Sequence, residues 1–203
     1  MSADARNLRS YQRETDYLRK AFELADRLPE DCRERRLIRA DYFSGSESTL
    51  ELAAAEFKRV LEDHPGDVVV NNNLGVLYYQ IEDFESALEC AEAGIRQGTS
   101  NPYPHYTKAE ALWALGRGAE AERALSAYHQ SFPANRLIHQ VLISMLISGG
   151  RDAEAGEALD KATAVFPDPS WSYWKAGLLF QTEGAAAAHE EIRRLFLMEE
   201  TPW

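Results

Sequence analysis

Long apolar stretches are missing from this chain. No run approaches the ~20 residues needed to cross a bilayer, so no membrane span is expected anywhere in its 203 residues. The opening MSADARNLRSYQRE carries no apolar segment and is not a secretory signal, so a cytoplasmic location is expected. Cysteine is scarce. Cys32 and Cys90 stand far apart without a partner motif, which argues against a disulfide framework and for reduced structural thiols. Basic residues are also outnumbered, 22 Lys and Arg against 33 Asp and Glu, for a net charge of −11. Residues 1–40 hold ten basic and eight acidic side chains, while the remainder holds 12 and 25. Such a surface attracts neither a phosphate backbone nor an anionic headgroup, so neither nucleic acid nor membrane is an expected partner.

Chemical signatures are equally sparse. The five histidines never form an H-x-x-x-H pair, although His105 and His139 share one phase of the repeat described below. There is no G-x-S-x-G, no Walker-type glycine loop and no Cys–His constellation. Carboxylates such as Glu82, Asp83, Glu85, Glu89 and Glu92 read as the solvated face of a helix. No enzyme activity, metal or cofactor is expected.

What the chain does have is a period. Leu74, Gly75 and Tyr78 are spaced L-G-x-x-Y, and Ala87 follows nine residues after Tyr78. Taking Val68 as position one, the pattern returns at an interval of 34 residues: Ala109 and Ala121 match Gly75 and Ala87, and Ala155 and Pro167 match Ala121 and Pro133. Small residues at these places let two helices approach closely, while Leu and Tyr fill the seam on either side. A single helical hairpin cannot bury its apolar face, so copies must stack on one another. The spacing predicts an all-α fold, a right-handed α-α superhelix of about five helix-turn-helix repeats plus an N-terminal helix, forming one array over 1–203.

In chain order, residues 7–28 predict one helix with Leu8, Tyr11, Leu18, Phe22 and Ala25 along its face. The 1–33 segment is either an N-terminal cap helix or a half repeat cut from a longer array. Full repeats follow at 34–67, 68–101, 102–135 and 136–169, and 170–203 is a degenerate capping repeat in which His189 replaces the small alanine. Gly116, Gly150 and Gly184 mark turns within repeats. The third unit has Ile81, Glu82, Asp83 and Phe84 instead, which predicts a tighter, capped turn. The first helix of the fifth unit, LIHQVLISMLIS, is nearly all apolar and reads as the most buried.

Function is expected in the hollow of the stack. In each first helix, positions 2, 5, 9 and 12 fall on one face. They are Val69, Asn72, Val76 and Tyr79, then Tyr103, Tyr106, Glu110 and Trp113, then Leu137, Gln140, Ser144 and Ile147, then Trp171, Trp174, Leu178 and Gln181. Tyrosine and tryptophan anchor interfaces because a rigid ring gives much contact area for little entropy. Amides can bond an extended backbone through both donor and acceptor. The expected groove for a peptide or protein segment is Asn72, Asn73, Tyr79, Tyr103, Tyr106, Trp113, Gln140, Trp171 and Trp174. The competing account is that some of these rings only pack between units. Arg33, Arg35, Arg36 and Arg39 form a second patch, read as balancing the neighbouring acidic flank more than as a partner site.

These motifs resemble the tetratricopeptide repeat superfamily over essentially the whole chain, best over 68–167. The resemblance implies a non-catalytic protein-interaction scaffold. The stretch from Tyr17 to Leu28 and NNNLGVLYY also look like repeat regions of bacterial signalling proteins, including serine/threonine kinases, adenylate cyclases and transcriptional regulators. One subgroup of the superfamily grips a C-terminal carboxylate with Lys and Asn. Asn72 and Asn73 could supply the amides here, but the cationic places hold Tyr103, Tyr106, Thr107, Leu137, Gln140 and Val141, so that clamp is absent. A structural self-assembly role, with a homodimer docked through Leu195, Phe196, Leu197 and Met198 or the N-terminal helix, is the alternative expectation.

Overall fold

A computed structural model describes residues 15–199, with side chains through residue 194. Leu8, Tyr11 and the side chains of Leu195, Phe196, Leu197 and Met198 therefore lie outside the described residues. Those described are helical throughout, with no strand among them. They divide into two compact units between Leu115 and Gly116. That division falls inside the fourth repeat.

The first unit holds α1 (residues 15–25), α2 (Arg33–Phe43), α3 (Leu50–Asp63), α4 (Val68–Gln80), α5 (Phe84–Ile95) and α6 (Pro102–Ala114). Each of α2 to α5 packs on the next, and α4 also meets α6. The core here is Ala40, Leu50, Ala53, Phe57, Val60, Val70, Leu74 and Leu77. The small residues behave as the spacing requires. Ala53 and Ala87 are fully covered, and a Cβ on Gly75 would lie 3.3 Å from the Ala87 carbonyl, Cys90 and Thr107 at once. The α1 helix docks through Phe22, which stacks on Tyr42 at 4.1 Å and meets Phe43 edge-on at 5.4 Å.

The second unit holds α7 (Gly118–Ser131), α8 (Arg136–Ser148), α9 (Asp152–Val165), α10 (Trp171–Thr182) and α11 (Ala185–Glu199). Here too each helix packs on its successor. Its core centres on Ile143, Leu159, Ala162 and Trp171. Among the described side chains, the apolar α8 buries as many as α3, and these two helices bury the most.

Loop chemistry repeats as faithfully as the core. Asp67, Asn101 and Asn135, one period apart, each cap the following helix with a side-chain oxygen on its first free amides, as N-cap residues do. Three residues into each of those helices, a polar side chain reaches back six residues to the preceding loop. The Asn71 amide donates to the Pro65 carbonyl at 2.9 Å, His105 bonds the Thr99 backbone, and His139 Nε2 lies 3.3 Å from the Pro133 carbonyl.

One expectation needs correction. The turn at Glu82 is capped, with Asp83 accepting from the Ser86 amide at 3.2 Å, but it is no tighter than its counterparts. Glu82 takes φ 62°, while Gly116, Gly150 and Gly184 at the same phase have φ 73°, 68° and 91°. The closing bonds match as well: Asp83 N–H to the Tyr78 carbonyl at 2.9 Å and Arg151 N–H to the Leu146 carbonyl at 2.9 Å. Packing of the hairpin demands one backbone path, and a non-glycine residue is forced to follow it.

Candidate functional site

The arginine patch can be set aside first, because the chain's own carboxylates occupy it. Arg33 bonds Asp67 at 2.6 Å, Arg35 bonds Asp26 at 2.8 Å, and Arg36 bonds Asp31 at 2.7 Å. Arg39 Nε donates to Glu56 at 2.8 Å, with its guanidinium over Phe22 and Phe43, and Arg36 approaches the same carboxylate at 3.7 Å. Glu56 is only 7% exposed, so these contacts neutralise a buried charge.

The first-unit part of the predicted face is a surface. Tyr103 and Val69 are 56% and 57% exposed, while Asn72, Asn73, Tyr79, Tyr106 and Trp113 are half-buried. The buried Thr107 hydroxyl donates to Asn72 Oδ1 at 3.2 Å, which joins α4 to α6 and fixes the Asn72 amide. One acceptor position of Asn72 is thereby taken, leaving its NH₂ group for another bond. One turn along α6, the Tyr106 hydroxyl donates to Glu110 Oε1 at 2.6 Å. Tyr79, whose ring meets Phe84 at 5.3 Å, lies within electrostatic reach of both Glu110 and Tyr106. Burial raises the Glu110 carboxyl above its ordinary range, although the bond from Tyr106 opposes that rise. Burial and Glu110 together hold the Tyr106 phenol well above its usual value. Tyr79, Tyr106 and Glu110 thus form one cluster, joined on α4 by Asn72 through Thr107, the neighbour of Tyr106. Tyr103 and Trp113 extend it along α6, and Asn73 lies beside it.

Glu110 stood on the predicted face but outside the expected site. The signal for it was the i, i+4 spacing from Tyr106, which places hydroxyl and carboxylate on one face of a helix. Thr107 gave no sequence signal.

The second-unit part of the prediction fares differently. Trp171 is 3% exposed, packed against Ile143, Leu159 and Ala162 with the Arg136 guanidinium 5.0 Å from its ring centre. It belongs to the core, a correction to its place in the predicted groove. Trp174 is half-buried and packs against the same cluster, and Gln140 is half-buried on α8. An open cleft of about 440 Å³ lies among α7, α8 and α9, with Leu125, Ile138 and Leu142 beneath and Glu122 and Arg151 at the rim. Two of its carboxylates are paired, since Arg151 bonds both Glu122 and Glu154. The His129 and His139 rings meet edge-on at 4.6 Å within it. Among the described residues no group of three or more His, Cys, Asp or Glu side chains could hold a metal ion. No described helix is long and apolar enough to cross a membrane.

Comparison with known proteins places these features. The family profile described as tetratricopeptide repeat matches residues 47–102 and 106–168. Among solved structures, a thermophilic tetratricopeptide protein of Thermus thermophilus, TTC0263, aligns with TM-score 0.63 and 18% identity, covering 81% of this chain and 90% of that one. MamA aligns at 0.60 with 18% identity, over 81% and 90%. YrrB, a tetratricopeptide protein described as having an unusual peptide-binding site, aligns at 0.56 with 19% identity, over 86% and 90%. No curated protein matches in sequence.

Proposed function

The chain belongs to the tetratricopeptide repeat family, and from that premise we propose that it is a non-catalytic interaction module holding a peptide or protein segment against the α4–α6 face. The carrying observation is the Asn72–Tyr79–Tyr106–Glu110 cluster. It combines half-buried rings, a fixed amide and a carboxylate on the first helices of two successive repeats, beside the exposed Tyr103. Rings of this kind contribute most to binding when a partner covers them completely. The peptide-binding site for which YrrB is described supports the reading, because it is a use of the same fold. The resemblance of the 17–28 and 71–79 stretches to repeat regions of bacterial signalling proteins favours an adaptor or sensory part of a larger signalling protein, in the cytoplasm.

A partner recovered by co-purification provides the test. Tyr106→Ala and Trp113→Ala should each weaken its binding by about tenfold or more in calorimetry, a loss of roughly 1.4 kcal/mol, while circular dichroism shows helicity intact. Unchanged affinity in both variants removes the groove reading. A second reading, self-assembly, draws on Tyr173 and Phe180, exposed seven residues apart on α10. Light scattering over a concentration series separates the two, since a strict monomer eliminates self-assembly and leaves the groove untouched.

A further inference from the structure

Among the described residues, the two carboxylates buried outright, Glu56 and Glu191, are both supplied with cations. Buried Glu56 has Arg36 and Arg39, Asp67 has Arg33, and buried Glu191 has Lys175 at 3.3 Å and Arg194 at 3.7 Å. Glu110 is not supplied in this way. It is half-buried, yet no Lys or Arg among the described residues ion-pairs with it; Lys108, two residues away, is held by Glu92 at 2.8 Å. The Tyr106 hydroxyl occupies Oε1 and leaves Oε2 open. A carboxylate kept partly from water without a counter-charge is costly, and a cation brought by a ligand removes that cost.

The surroundings suit a cation in two further ways. Tyr106 and Tyr79 lie beside the carboxylate, and aromatic faces attract ammonium and guanidinium groups while covering their aliphatic stems. Residues 68–115 carry six acidic side chains against only Arg96 and Lys108, so the local field is negative. An acidic or carboxylate-terminated ligand would meet the opposite: no cation at the cluster and a carboxylate already present.

We infer that Glu110 is the anchor for a lysine or arginine side chain presented by the partner segment, with Tyr79 and Tyr106 flanking that side chain and the Asn72 amide available to its backbone. This rests on the α4–α6 face being the binding surface, and names the chemistry that surface selects.

The test uses the intact chain and a phage-displayed library of random peptides. Selected peptides should share a basic residue, and calorimetry on synthetic copies should show that replacing it with Gln costs about tenfold in affinity. Glu110→Gln, whose side-chain oxygen still accepts from Tyr106, should cost the same, and both changes together should cost little more than either alone. Peptides that lose affinity with Tyr106→Ala but carry no shared basic residue, or bind Glu110→Gln unchanged, would overturn the cation anchor and leave the surface assignment standing. Peptides indifferent to Tyr106→Ala and Glu110→Gln alike would overturn both.

Discussion

At the scale of single residues, the clearest physical tension is at Glu82. A left-handed backbone at a non-glycine residue costs about 1–2 kcal/mol, and three glycines one period apart avoid that cost at the equivalent turn. Glu82→Gly should therefore stabilise the protein, by about 0.5–1 kcal/mol once glycine's greater freedom in the unfolded chain is subtracted. Gly150→Ala should destabilise it by about 1 kcal/mol. A Cβ at Gly150 would meet open space, so its cost is backbone strain alone. Shifts in the denaturation midpoint measure both; equal midpoints for Glu82→Gly and the parent chain would mean the turn carries no strain. This position also shows why residue types alone misled: glycine marked the turn wherever it occurred, but its absence did not change the path.

At the scale of elements, the straps between each first helix and its preceding loop make a prediction about acid. Burial lowers the affinity of His105 and His139 for a proton, opposed by their bonds to Thr99 and Pro133 and reinforced by Lys108 and His129 respectively. A histidine that binds protons less readily when folded favours unfolding as it charges. Its contribution is complete above the ordinary imidazole value of about 6.5 and falls away as pH drops from there toward the lowered value. Asn71 fills the same place without titrating. His105→Asn with His139→Asn should thus flatten the loss of thermal stability between pH 7 and about 5.5, and an unchanged slope would remove the straps from that effect. Element boundaries were largely legible beforehand. The fifth repeat's first helix was expected as the apolar run LIHQVLISMLIS, and α8 holds that whole run and ends against Gly149. Depth was not legible. Trp171 shares its phase with the exposed Val69 and Tyr103, since periodicity sets which way a side chain faces but not what closes over it. Arg136, a residue of another helix, lies over that ring.

At the scale of the whole molecule, the net charge of −11 should act on encounter more than on grip. Raising salt from ~0.02 to ~0.2 M shortens the reach of that field from roughly 20 Å to below 10 Å. Association of a basic peptide should slow severalfold in stopped-flow measurements, while the difference in dissociation rate between the parent chain and Glu110→Gln persists, because that contact is partly shielded from ions. An association rate indifferent to salt would show that the acidic surface steers nothing. The repeat, its phases and the face that bears Asn72, Tyr79 and Tyr106 were all readable from spacing. The importance of Glu110 was not, because it lies in which charges are paired, and pairing is a property of three-dimensional neighbours.

Cys90 gives the third repeat something its sister repeats lack. Its side chain packs beneath α4 against the core that holds Leu74 and Leu77, and burial pushes the thiol up to about 11, so at neutral pH it is both largely covered and unreactive. A thiol in that condition is alkylated mainly during the moments when the hairpin breathes. Its rate of alkylation, separated from that of the other free thiol, Cys32, by peptide mapping, is therefore an intrinsic stopwatch for local opening. If a bound ligand clamps α4 to α6, the stopwatch should slow.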